Sequence, residues 1–146
     1  MTDAFSSLMS GKPKDIEPPK ALPPGVYEGV IEKYEEKVAK TGRPYIEFLV
    51  KLTSPVDVPE DAEIEPGALR SLPFRIFAKE GEDGKWTVGY SFRKAMEATG
   101  KSNVEFPRCI EESIGETVWA EVEQEPDQRD PEIIRNNIRG LLKAGG

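Results

Sequence analysis

From Gly25 onward the chain alternates between apolar and polar positions, and the period is that of strands. In VYEGVIEKYEEKV, Val26, Val30, Tyr34 and Val38 fall on one side and Tyr27 and Ile31 on the other, with Gly29 where a long strand can bend sharply. The turn AKTGR follows. PYIEFLVKLT then sets Ile46, Phe48, Val50 and Leu52 on a core face and Tyr45, Glu47, Leu49 and Lys51 on the opposite one. After a Pro-rich acidic insertion, LPFRIFAK puts Phe74 and Ile76 toward the core while Arg75, Phe77 and Lys79 point away. GEDGKWTV predicts a turn and a short extended piece carrying Trp86.

SFRKAMEATG changes the period. Ser91 suits an N-cap, Phe92, Ala95, Met96 and Ala98 recur at helical spacing, and Gly100 can close the C-terminus. PRCIEESIG adds a further helical turn. ETVWAEVEQ alternates again, with Val118, Ala120 and Val122 inward and Trp119 outward. DPEIIRNNIRGLLKA carries two readings. Asp130, Pro131 and the spacing of Ile134, Ile138, Leu141 and Leu142 suit a helix. Asn136, Asn137 and Gly140 weaken a helix, and the short turn EPDQRD suits a hairpin that makes the segment a strand.

Ahead of Gly25 no period is sustained. Pro13, Pro18, Pro19, Pro23 and Pro24 favour extended backbone, so residues 1–24 are expected to form a flexible Pro-rich arm, in which Phe5, Leu8 and Met9 can make one amphipathic turn. Residues 25–146 then form the single domain that a 146-residue chain accommodates. With its last element as a strand, the order is strand, strand, strand, helix, strand, strand. That predicts a mainly β protein, an OB-like five-stranded Greek-key barrel with a helix between strands 3 and 4.

Composition narrows the chemistry. Histidine is absent and Cys109 is the single cysteine, which excludes an internal disulfide, zinc sites built on Cys and His, and His-dependent triads or dyads. The acidic residues show no spacing that frames a carboxylate or magnesium site, so neither enzymatic activity nor a cofactor nor a bound metal is expected. Cys109 is read as a small buried apolar group. No apolar run approaches the roughly 20 residues of a membrane span, and MTDAFSSLMSG lacks the pattern of a signal peptide. A cytoplasmic protein is expected.

The net charge of −7 is unevenly spread. Residues 55–66 hold five acids and no base, residues 111–132 hold nine acids and one base, and the remaining chain is neutral to basic. An acidic total therefore leaves room for a polyanion partner, provided one face gathers the cations. OB-type barrels bind oligonucleotides on the face of strands 2 and 3 and in the loops between strands 1 and 2 and strands 4 and 5. In this chain those positions include Lys40, Arg43, Tyr45, Lys51, Arg75, Phe77 and Lys79. Rings there can stack on unpaired bases while Lys and Arg follow the phosphates. Trp119 joins the candidates, with cover for the outer wall of the barrel as its plainer role. Tyr45 and Phe77 likewise have a plainer reading, as packing beneath the arm or against another subunit.

GVYEGVIEKYEEKVAKTGRPYIEFLVKLTSP, the helix ending MEATG, IGETVWAEVEQE and NNIRGLL, taken in order, resemble the small OB-fold single-stranded DNA-binding proteins of tailed bacteriophages, over roughly residues 25 to 143. The resemblance implies a non-catalytic protein that coats single-stranded DNA, without sequence preference, during phage replication or recombination in the host cytoplasm. It favours a strand for NNIRGLL. It also implies single-stranded DNA as partner, with replication or recombination proteins and further copies of the chain as additional partners. The sequence departs from that family in two places. It ends in LLKAGG instead of an acidic recruiting tail, and it carries the acidic insertion 55–66, which is expected either to be a solvated loop or to compete with DNA for the basic face. The alternative is a non-enzymatic β-barrel structural or interaction module, such as a virion component, whose exposed aromatics form a protein interface.

Overall fold

The computed structural model describes residues 11–12, 21–65 and 67–145; the expected amphipathic turn at Phe5, Leu8 and Met9 and most of the arm lie outside them. Two 14-residue strands, β1 (Gly25–Val38) and β2 (Pro44–Asp57), form the first hairpin. They are followed by β3 (Ser71–Phe77), a small hairpin of β4 (Lys79–Glu80) and β5 (Trp86–Thr87), helices α1 (Tyr90–Thr99) and α2 (Arg108–Ser113), and a second long hairpin of β6 (Thr117–Pro126) and β7 (Ile134–Lys143). The protein is mainly β. Its five long strands form one antiparallel sheet in the order β3-β2-β1-β6-β7.

The alternating faces pack as their pattern predicts along β2, β3 and β6. Phe48, Val50 and Leu52, with Leu72, Phe74 and Ile76 and with Val118, Ala120 and Val122, are buried in one core, which Phe92, Ala95, Met96 and Ala98 of α1 cover from one side. Each such aliphatic or aromatic side chain contributes about 1.5–3 kcal/mol by leaving water. Cys109 and Ile110 of α2 are buried too, and burial pushes the Cys109 thiol pKa up.

Along β1 the simple alternation fails. Ile31 lies opposite Val50, but Lys33 lies opposite Leu49, so Glu32 is an extra residue and the strand bulges. After the bulge the faces exchange. Tyr34 therefore meets Phe48 across the ladder, ring centroids 6.5 Å apart, and packs against the same core as Ile31 instead of facing away from it. Gly29 lies at another register shift, where β1 and β2 press together. A Cβ there would stand 2.8 Å from Val50 Cγ1 and 2.9 Å from the Lys51 carbonyl oxygen.

The last segment is strand β7, and the helical alternative for it falls away. Its helix-like spacing has a physical origin. Val122 of β6 faces Ile138 while the adjacent Glu121 faces Gly140, which leaves Arg139 unpaired in a bulge. Ile138 and Leu141, three apart, consequently both enter the core. In α1 the N-cap is Gly89, whose carbonyl accepts the N–H of Phe92; Ser91, expected as the cap, lies within the first turn. Gly100 closes the helix in the left-handed conformation, φ 80°.

The sheet is not a closed barrel. β3 and β7 end the strand order with no ladder between them, and a cleft of about 620 Å³ lies between the two. Pro73, in the middle of β3, has no N–H to offer a further strand. Side chains bridge part of the gap, where Arg70 Nη2 donates to Asn136 Oδ1 at 3.3 Å. The base of the arm is also fastened here. Leu22, buried, donates its N–H to Asn136 Oδ1 at 2.7 Å, and its carbonyl accepts from Asn136 Nδ2 at 3.0 Å and Gln124 Nε2 at 2.8 Å.

Candidate nucleic-acid interface

The side of the β1–β2–β3 sheet turned away from the core is built in rungs. Lys37, Tyr45 and Phe77 occupy one rung, Glu35, Glu47 and Arg75 the next, and Lys33, Leu49 and Pro73 the one after. Tyr45 and Phe77 sit directly opposite one another, and their rings meet at 4.8 Å between centroids with an interplanar angle of 35°. Phe77 remains 37% exposed. An apolar ring left in water at the end of a strand is a surface that a flat partner can cover.

Arg43 reaches this pair from the turn. Ala39 and Arg43 close the turn by an N–H to carbonyl bond of 2.9 Å, and Gly42, at φ +87°, donates its N–H back to the Ala39 carbonyl at 2.8 Å. The chain thereby reverses sharply enough to bring Arg43 over β3. Its Nε donates to the Ala78 carbonyl at 2.6 Å, and its guanidinium stands 5.1 Å from the centre of the Phe77 ring. Lys40 is exposed in the same turn.

Glu47 tempers the positive charge. Lys37 Nζ approaches its carboxylate at 2.9 Å and Arg75 Nε at 3.4 Å, while Glu35 takes Lys37 at 3.5 Å and Lys33 at 3.7 Å. Partial burial raises the cost of ionising Glu47, but the Lys37 hydrogen bond and the Arg75 charge outweigh it and hold the carboxyl below its ordinary range. Two carboxylates thus accompany three cations at the centre of the face. Lys40, Arg43, Lys51 and Lys79 form no ion pair among the described residues.

The residues named from sequence divide accordingly. Arg43, Tyr45, Arg75 and Phe77 come together, with Lys40 beside them in the turn. Lys79 follows two residues beyond Phe77, on the small hairpin opposite Thr87. Lys51 is exposed on the same face of β2 but farther along, opposite Ser71. Trp119 stands apart, on β6 between Glu28 of β1 and Leu142 of β7, where its Nε1 donates to Glu28 Oε2 at 3.4 Å.

Sequence reasoning missed the other bank of the cleft. Arg129 and Arg135, from the β6–β7 loop and the start of β7, line a hollow of about 510 Å³ together with Arg75, Glu125 and Asp127. Asp127 Oδ1 accepts the N–H groups of Arg129 (2.8 Å) and Asp130 (3.2 Å), and its other oxygen pairs with Arg135. Those backbone donors, more than the Arg135 charge, depress its pKa. This acidic side chain ties the loop, so that Arg129, the one base of segment 111–132, stands with Arg135 on a cationic rim. The acidic insertion lies elsewhere. It leaves β2 at Asp57, twelve residues from Tyr45, and rejoins the sheet at Ser71, four residues before Arg75. Ile64, Ala68 and Leu69 of the same connection pack against the core.

Among the described residues no cluster of three or more cysteine or acidic side chains is arranged as metal ligands, and no helix is long and apolar enough to cross a membrane. Compared with known proteins, the chain matches no protein-family model and no curated protein sequence.

Proposed function

We propose that this chain is an OB-like protein of the bacteriophage single-stranded DNA-binding type, which coats single-stranded DNA during replication or recombination without sequence preference and without catalysis. The observation that carries the proposal is the Tyr45–Phe77 ring pair, partly exposed where β2 begins and β3 ends, with Arg43 over one ring and Arg75 on the next rung. Bases splayed from a single strand can stack on the rings while phosphates track toward Lys40 and Lys79 on one side and Arg75, Arg129 and Arg135 on the other. Strand order supports the OB assignment: β3-β2-β1-β6-β7, with two helices and a small hairpin between β3 and β6. An OB barrel has the same neighbours, and its ends meet where the β3–β7 cleft lies here.

A protein-interaction module is the second reading. It is favoured by exposed apolar side chains beyond the ring pair itself, among them Val38, Tyr90 and Phe106, and by the net negative charge. Titration of end-labelled oligo-dT with the purified protein, followed by anisotropy at several salt concentrations, separates the two. If three or four phosphates are neutralised, log affinity falls with log salt at a slope of roughly −2 to −3, and a duplex of equal length binds more weakly. Absence of oligo-dT binding at low salt, or equal affinity for duplex, overturns the proposal.

A further inference from the structure

The inner side of the β1–β2 hairpin does not rest on the main core along its whole length. Beyond Tyr34 and Phe48, Val38, Pro44 and Ile46 overhang a cleft of about 690 Å³, whose opposite wall is formed by Trp86, Val88, Phe106 and Ile110. That volume lies within the range of about 300–1,000 Å³ typical of small-ligand sites. Trp86 is 45% exposed and Phe106 55% exposed. Phe106 stacks on the buried Phe92 at 4.8 Å and 17°. One face of its ring is therefore covered by Phe92.

The geometry points to this cleft as a base-binding subsite that continues the single-strand path over the hairpin edge. This inference rests on the DNA-binding reading above and extends it to two further aromatic residues, Trp86 and Phe106. Continuity is the main argument: Tyr45 and Lys37 line the cleft and also belong to the outer rung with Phe77, so the two sites share an edge. A strand leaving Tyr45 meets the cleft mouth without an intervening gap. The chemistry of the walls agrees, since they are largely apolar and aromatic, as stacked bases require, whereas phosphates would demand cations. Lys79, opposite Thr87 on the hairpin that carries Trp86 and without an ion pair among the described residues, supplies charge for the backbone.

The test uses the two tryptophans of the chain. A Trp119→Phe variant leaves Trp86 as the single emitter, and oligo-dT is expected to quench it saturably, at the same concentrations that raise the anisotropy of labelled oligo-dT. Trp86→Ala and Phe106→Ala should each weaken binding by roughly 5- to 150-fold, with thermal melting used to verify folding; Trp86→Leu, which retains an apolar side chain, serves as the second variant should Trp86→Ala unfold. If oligo-dT binds with wild-type affinity to the folded Trp86 and Phe106 variants and leaves Trp86 emission unchanged, the cleft inference is overturned while the Tyr45–Phe77 face stands. If those variants alter self-association but not oligo-dT affinity, the cleft is a protein site and the inference is likewise overturned. Failure of the unmodified protein to bind oligo-dT at low salt overturns both.

Discussion

Tyr45 and Phe77 are 32 residues apart in sequence yet occupy one rung, and each covers part of the other's ring at 4.8 Å. Neither belongs to the buried core. This separates their part in binding from their part in stability. Replacing either by Ala should weaken oligo-dT binding by about 1–3 kcal/mol if a base stacks there. The loss of stability should be limited to the ring pair, about 0.5–1.5 kcal/mol. Anisotropy titration and urea denaturation of the same samples measure both.

Glu47 is expected to restrain DNA binding. Its carboxylate holds Lys37 and Arg75, so Glu47→Gln should free Arg75, leave Lys37 to Glu35 alone and tighten oligo-dT binding at low salt by about 1 kcal/mol, roughly fivefold. The gain should shrink as salt rises.

The same side chain sets a pH dependence of stability. The folded pKa of Glu47 lies below its ordinary value of about 4.3. Its contribution is therefore complete above that value and is lost as pH falls through the folded pKa. Thermal melts should show the parent protein losing stability below about pH 4.3 more steeply than Glu47→Gln, which has no proton to take up at this site.

Asn136→Ala tests the fastening of the arm base. The buried N–H of Leu22 would lose its acceptor, and the Arg70 bridge to β7 would go with it. An unsatisfied buried donor costs about 1–3 kcal/mol. Urea denaturation should register a loss of that size, and limited proteolysis should cut sooner near Leu22.

Neutralising Glu60, Asp61 and Glu63 to Gln, Asn and Gln leaves the connection's length and its apolar anchors in place. Because the acidic segment begins at Asp57, twelve residues along β2 from Tyr45, oligo-dT affinity at moderate salt should change by less than about twofold. A large gain in affinity would mean that the acidic segment reaches the basic face after all.

Phe48→Ala provides the opposite control to the ring pair. Phe48 is fully buried and meets Tyr34 across β1. Its truncation should cost about 3–5 kcal/mol through lost contact and the cavity left behind. Oligo-dT affinity measured well below the melting temperature should remain close to that of the parent protein.

Local pattern determined a good part of this protein. The period of two along PYIEFLVKLT and LPFRIFAK decided which side chains enter the core and left Tyr45, Arg75 and Phe77 on the other face, because alternation is a property of a single strand and needs no partner. Gly42 in the turn and Gly100 after α1 were equally legible, each meeting a backbone need at its own position. What the strands do to one another was decided only in three dimensions. The bulges at Glu32 and Arg139 exist because paired strands of unequal local length must share one ladder, and they moved Tyr34 into the core and gave β7 the spacing of a helix. The cationic bank of Arg129 and Arg135 arises in the same way. Arg129 is outnumbered by acids in its own segment, and the sheet brings it and Arg135 beside Arg75, more than fifty residues away in the chain, because β3 and β7 end the sheet on the two sides of one cleft.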